Sequence, residues 1–248
     1  MSLRDALLVL AGGLVAGVAN TVAGGGSLLT FPLLIALGLP PLDANVTNTV
    51  GIAPAAVGGV LGYQRELAGQ RQRLICLLPY AVAGAVVGAV LLLTTPAGVF
   101  TRIVPALIVV ACLVLLAQRP LARALDKQRR TRSSLLRAGL FVTAVYGGYF
   151  GAAVSVLVLA LFAVTIDDAL QRLNALKVPF AGAMNLVSGI AFAIFGPVHW
   201  AYVLALAPAT LVGGRIGASV ARRVPDQPLR IAVVVLGLAA AAWLQLTR

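Results

Sequence analysis

The sequence predicts an all-α, polytopic helical membrane protein made of two inverted repeats. In each repeat a glycine-broken helix pair precedes three transmembrane helices. Composition is the first observation behind this. Of 248 residues, 60% are hydrophobic and only 10% charged, with a mean hydropathy of +1.01. Several apolar runs approach or exceed the roughly 20 residues that cross a bilayer. The second observation is a recurring pattern. Pro79-x-x-x-x-Gly84-x-x-x-Gly88 returns as Pro208-x-x-x-x-Gly213-x-x-x-Gly217, displaced by 129 positions (208 − 79). Asn48 and Asn174, each following a glycine break, match at 126 (174 − 48). Charge placement, the third, sets orientation.

Taken in order, residues 3–19 and 28–39 are apolar and flank Asn20-Thr21-Val22-Ala23-Gly24-Gly25-Gly26-Ser27. Between two lipid-compatible runs this octet is expected at membrane depth. Non-helical backbone survives there only when buried in protein or lining a wet cavity. Glycines let backbone approach a ligand, and a helix starting after them points free N–H groups into the gap. Residues 46–63 follow, with Asn45, Thr47, Asn48 and Thr49 at their mouth, then 74–93 and 99–117. The connector 118–137 carries Arg119, Arg123, Lys127, Arg129, Arg130, Arg132 and Arg137 against Asp126 alone. It reads as a cytoplasmic loop between a first transmembrane repeat, 1–117, and a second, 138–248. The second holds 138–164, broken at Gly147-Gly148-Tyr149-Phe150-Gly151, then 173–195, 200–221 and 229–246. Arg4 and Asp5 before an apolar run have the outline of a signal peptide. Apolar sequence continues at once, which predicts an uncleaved first helix.

Suppose each broken pair enters and returns. Each half then crosses an odd number of times, and the second half is inverted. With 118–137 inside, Arg65, Arg71, Arg73, Arg172, Arg222, Arg223 and Arg230 all fall inside, and both termini outside. If each pair were one continuous span, Arg222, Arg223 and Arg230 would lie outside. Positive-inside counting selects the inverted arrangement. The net charge of +12 is therefore an orientation bias. Aromatic–basic stretches are missing, so nucleic acid is not a partner.

Discontinuous helices in inverted repeats build solute sites near the bilayer midplane, and half-helix N-termini favour anions. The candidate substrate-binding residues are Asn20, Thr21, Gly24, Gly25, Gly26, Ser27, Asn48 and Thr49 from the first half. From the second come Tyr146, Gly147, Gly151, Asn174, Lys177 and Arg215. Lys177 lies more than a turn inside the helix after Arg172, and Arg215 lies on the order of 10 Å below the interface. Intramembrane cations are functional candidates, with snorkelling to the surface as the alternative. For the glycine breaks the alternative is a packing turn with Asn/Thr helix caps. All seven carboxylates lie in connectors or at helix ends, which disfavours cation transport. Any coupling ion would need neutral oxygens.

His199, beside Trp200, reads as a boundary anchor, and Cys76 and Cys112 lack metal-ligand spacing. No cofactor and no metal are expected. G-x-S-x-G, H-E-x-x-H and the phosphate-binding G-x-x-x-x-G-K-[ST] are all missing. An intramembrane enzyme using Ser27 or Tyr146 would have no general base. A membrane scaffold with tight glycine packing is the other alternative to a transporter.

Residues 13–27, GLVAGVANTVAGGGS, resemble the opening of the sulfite exporter TauE/SafE family (TSUP-type permeases) in looser form. Thr30-Phe31-Pro32, Ala44-Asn45-Val46-Thr47-Asn48-Thr49, Gly58-Gly59 and the closing PATLVGGRIG at 208–217 extend the resemblance across nearly the whole chain. It implies a multi-pass permease of the bacterial inner membrane. The expected substrates are sulfite, thiosulfate, sulfonates or related organic anions, and relatives include exporters and importers. Many relatives carry Thr-Ser where this chain has Asn48-Thr49, a departure that bears on the substrate. The expected partners are a small anion and membrane lipid, with a coupling ion and a homodimer left open.

Overall fold

The computed structural model describes residues 1–125, 133–223 and 227–246. Asp126, Lys127, Arg129, Arg130, Arg132, Asp226 and Arg248 lie outside the described residues, as do the side chains of Arg119, Arg123 and Arg230. Every regular element described is helical. Among the described residues, five helices are long and apolar enough to cross a membrane: Leu3–Val22, Arg71–Thr94, Ala97–Ala117, Leu170–Phe195 and Trp200–Ala221. The chain is a polytopic helical membrane protein.

Helix α1 (Leu3–Val22) opens with a reciprocal cap. The Asp5 N–H donates to Ser2 Oγ at 3.1 Å, and the Ser2 N–H to Asp5 Oδ2 at 2.9 Å. Two further donors of the first turn are thereby satisfied. At its far end the Ala23 and Gly24 N–H groups both reach the Ala19 carbonyl, at 2.8 and 2.9 Å. Gly24 sits at φ +91°, which an L side chain resists, so the helix stops there. The chain then reverses into α2 (Ser27–Ala36), which packs back along α1. A methyl on Gly26 would meet the Ala16 carbonyl at 2.4 Å, and one on Gly12 would meet Leu33 at 2.5 Å. The first broken pair is a hairpin whose two arms leave from the same end of the molecule.

Residues 46–63, expected as one helix, form two: α3 (Pro41–Ile52) and α4 (Pro54–Gly62). Pro41 starts α3 earlier than expected because its missing N–H is no loss in a first turn. Pro54 cannot donate back into α3, so the helix breaks before it. A short turn, α5 (Gln64–Leu67), leads to α6 (Arg71–Thr94) and α7 (Ala97–Leu125). The basic connector is shorter than expected, since α7 runs to Leu125 and α8 (Ser133–Tyr149) takes up its far end. The Leu, Ala and Arg residues there are good helix formers.

Helix α8 ends as α1 does, 127 positions on. The Phe150 and Gly151 N–H groups both reach the Tyr146 carbonyl, at 2.9 and 3.4 Å, and Gly151 has φ +76°. The reversal leads into α9 (Val154–Thr165), followed by α10 (Leu170–Phe195), α11 (Trp200–Ala221) and α12 (Gln227–Leu246).

Packing is exchanged between the halves: α1 lies against α11, and α8 against α6. A methyl on Gly84 would meet the Phe141 carbonyl at 2.3 Å, and one on Gly88 the Val145 carbonyl at 2.1 Å. On Gly213 and Gly217 it would meet the Leu14 and Val18 carbonyls at 2.2 and 2.9 Å. The partners correspond at displacements of 129 and 127. Only small residues let the backbones approach this closely, as in other membrane helix pairs.

Polar contacts define two ends. At one, Arg222 Nη1 lies 3.3 Å from Glu66 Oε1, and Gln70 Nε2 donates to the Glu66 and Arg172 carbonyls at 2.9 and 3.1 Å. Arg73 and Arg172 both pair there with Asp168. At the other end His199 Nε2 is 2.9 Å from Asp43 Oδ2, and the His199 backbone N–H donates to Thr47 Oγ1 at 3.0 Å. Thus α3–α4 runs from the His199 end to the arginine end, while α10 runs the opposite way. α11 likewise runs towards the arginine end, and α6 away from it.

Candidate functional site

Both hairpin tips are buried in the interior. Gly24, at the tip of α1–α2, faces the first turn of α9: a methyl there would sit 2.9 Å from Ser155 Cβ and 3.0 Å from the Val156 nitrogen. Gly25 abuts Leu115 and Val233. Phe31 of α2 packs edge-on to Phe150 of the second tip, with ring centroids 5.4 Å apart. The two interrupted segments therefore contact each other, an arrangement that requires glycine where Cβ would collide.

A helix leaves its last carbonyls without helical partners, and here side chains from the other half hold them. Lys177, fully buried on α10, donates from Nζ to the Val22 carbonyl at 3.4 Å. Val22 is the last residue of α1, where the helix dipole also favours a cation. At the corresponding position of the second hairpin, Asn45 Nδ2 donates to the Tyr149 carbonyl at 3.2 Å. An ammonium seals one tip and a neutral amide the other.

The sequence-derived candidates separate into groups. Asn20, Thr21, Gly24, Gly25, Gly26 and Ser27 share the first tip, with all but the half-buried Asn20 buried. Asn48 joins them through α2, because Thr30 donates from Oγ1 to Asn48 Oδ1. Lys177 joins them through Val22. Tyr146, Gly147 and Gly151 form the second tip, where the Tyr146 hydroxyl donates to the Ala152 carbonyl at 2.9 Å. Thr49 is turned back onto its own helix, donating to the Asn45 carbonyl at 2.9 Å. Asn174 donates to the Tyr63 hydroxyl at 2.9 Å, below the tips and towards the arginine end. Arg215 is exposed on α11, apart from the buried group.

Four residues at the tips were not among those candidates: Thr30, Asn45, Ser155 and Asn185. Asn45 is 1% exposed, and its Oδ1 has no hydrogen-bond partner among the described residues. Gly151 faces Asn185, whose Oδ1 would lie 3.7 Å from an added methyl. Ser155 had a legible signal, because it follows the second glycine break as Leu28 follows the first, 127 positions earlier.

A profile of the sulfite exporter TauE/SafE family matches residues 9–244. The chain belongs to the TauE/SafE family. It is 28% identical over 235 residues to a "probable membrane transporter protein" of Haemophilus influenzae, spanning 90% of this chain and 88% of that one. It is 24% identical over 234 residues to the "probable membrane transporter protein YfcA" of Escherichia coli, spanning 93% and 86%. A Sinorhizobium "probable membrane transporter protein ORF9" is 23% identical over 228 residues, spanning 92% and 87%. No solved structure matches the chain. Its TauE/SafE membership and these relatives make it a multi-pass membrane transporter.

Proposed function

We propose that this TauE/SafE protein is a secondary permease for small sulfur-containing or related organic anions, such as sulfite, thiosulfate or sulfonates. It acts by alternating access at a site between the two hairpin tips. One observation carries this reading: two glycine-broken tips meet at a buried position beside the fully buried Lys177. A buried ammonium is costly unless its charge is compensated, and an anion arriving at the α1 tip would compensate it further. In the first turns of α2 and α9 the Ser27 and Ser155 N–H groups have no acceptor among the described residues, and they add two donors. Asn20, Thr21, Ser27 and Asn48 supply neutral donors that grip the solute without holding it too long for release.

The two halves, 1–117 and 138–248, act as inverted repeats. The twin glycine contacts support this, as do the opposed directions of α3–α4 and α10 and of α6 and α11. The arginine end then faces the cytoplasm by the positive-inside rule, in a bacterial inner membrane, with both termini outside. Rocking of one repeat against the other moves the site between the two faces.

Flux of sulfite, thiosulfate, sulfoacetate and chloride into liposomes holding purified protein tests this directly. Saturable uptake of at least one sulfur oxyanion is expected, and Asn20→Leu should abolish it with insertion intact. Equal flux in empty liposomes, or in the Asn20→Leu protein, would overturn the site.

A further inference from the structure

At the arginine end a cavity of about 440 Å³ opens between the first turns of α6 and α8 and the segment before α10. Its rim holds Arg73, Arg137, Arg172 and Ser133, with Asp167 among them, and its floor holds Leu77 and Leu136. We propose that this cavity binds the phosphate of an anionic phospholipid headgroup. This goes beyond the transport reading and does not depend on it.

Charge comes first. Asp168 takes one contact each from Arg73 and Arg172, but a guanidinium has five N–H donors, so both retain free ones. Arg137 has no carboxylate partner among the described residues. Its guanidinium lies 5.9 Å from the centroid of the Tyr80 ring, which engages the cation's face and leaves its N–H edge for a ligand. That edge suits a phosphate, which guanidinium recognises in two-pronged fashion.

The floor decides between a lipid and a solute in transit. Leu77 and Leu136 belong to one apolar cluster with Leu140, Leu173, Leu176 and Phe180, packed directly above the cavity. A ligand with a charged head and hydrocarbon below it matches a polar rim over an apolar floor. Beside the rim the surface carries Ile75 and Leu135, exposed as lipid-facing residues are. Basic pockets between helices at the cytoplasmic face are where anionic headgroups bind.

The test titrates the purified full-length protein with phosphatidylglycerol or phosphatidylcholine and follows bound lipid by native mass spectrometry and thermal stability. Phosphatidylglycerol should bind and stabilise, and phosphatidylcholine should do so much more weakly. Arg137→Gln should weaken phosphatidylglycerol binding about fivefold, as expected for one basic residue at the surface. Arg137→Lys should keep part of it, and Arg4→Gln at the opposite end should leave it unchanged. Equal effects of the two lipids, or wild-type binding by Arg137→Gln, would overturn the proposal. So would displacement of phosphatidylglycerol by millimolar inorganic phosphate, which would make this a site for free anions.

Discussion

The tips of the two hairpins differ more than their backbones do. Both end on a positive-φ glycine whose N–H, with that of the residue before it, reaches the same helical carbonyl. Both have their last carbonyl, Val22 or Tyr149, held from the opposite half. Yet the holder is an ammonium at the first tip and an amide at the second. The first tip is also pressed against Ser155 and Val156, whereas Gly151 has more room. The two tips thus share a backbone geometry while their side chains differ. Shape is held in common, and the cationic side chain sits on one side only.

The tightness of the first tip gives the largest expected effect. Gly24→Ala would place a left-handed residue into a contact already at 2.9 Å, whereas in Gly151→Ala the nearest atom, the Gly147 carbonyl oxygen, is 3.2 Å away. Left-handed backbone costs an L residue roughly 1–2 kcal/mol, and overpacking adds roughly 1–3 kcal/mol. Gly24→Ala should therefore lose about 2–5 kcal/mol in SDS-induced unfolding and Gly151→Ala about 1–2 kcal/mol. Equal losses would mean that the two tips are equally packed.

The seals come next, and here transport separates what stability does not. Lys177→Gln keeps a donor for the Val22 carbonyl and removes the charge. Asn45→Leu removes the donor for Tyr149 and changes no charge, leaving a carbonyl unpaired at about 1–3 kcal/mol. Lys177→Gln should lower anion flux at least about tenfold, which is about 1.4 kcal/mol. Asn45→Leu should lower flux only in step with the folded fraction. The reverse ranking would move the anion site to the second tip.

How much of this was legible follows from which physical signals are local. Membrane spans, glycine breaks and the helix order are written in hydropathy and in glycine itself, so the sequence carries them directly. The matched close contacts were legible because Gly84, Gly88, Gly213 and Gly217 must be small wherever backbones touch. Boundaries failed where local rules compete: Pro54 split one expected helix, and α7 ran on past the expected end of its apolar run at Ala117. The buried hairpin tips were legible as places but not as sets of partners. Lys177 and Arg215 look alike in sequence, each a cation inside an apolar run, yet one is buried and the other exposed. Only the rotation of α10 and α11 against their neighbours distinguishes them, and that is a tertiary property. Asn45 was visible as part of a polar cluster. Its bond to a residue 104 positions away was not.

The smallest expected effect compares the two ends. Burial alone would raise the Asp168 carboxyl's pKa, but the Arg73 hydrogen bond, the Ala169 N–H and Arg172 outweigh it and hold the group below its usual range. A carboxyl lowered in the folded state stabilises above its unfolded pKa and loses that contribution as pH falls through the folded value. Stability should therefore stay flat in this respect from pH 8 to pH 5 and fall below about pH 4, the ordinary carboxylate range. Asp168→Asn removes this acid limb and lowers stability at neutral pH. Because both arginines are partly exposed, the loss should be no more than about 1 kcal/mol for each pair. At the opposite end Asp43→Asn breaks one pairing, with His199, instead of two, and should cost less at neutral pH. Thermal scans of the two variants at pH 7 decide the matter. If Asp43→Asn proved the more damaging, the arginine end would not be the more firmly paired of the two ends.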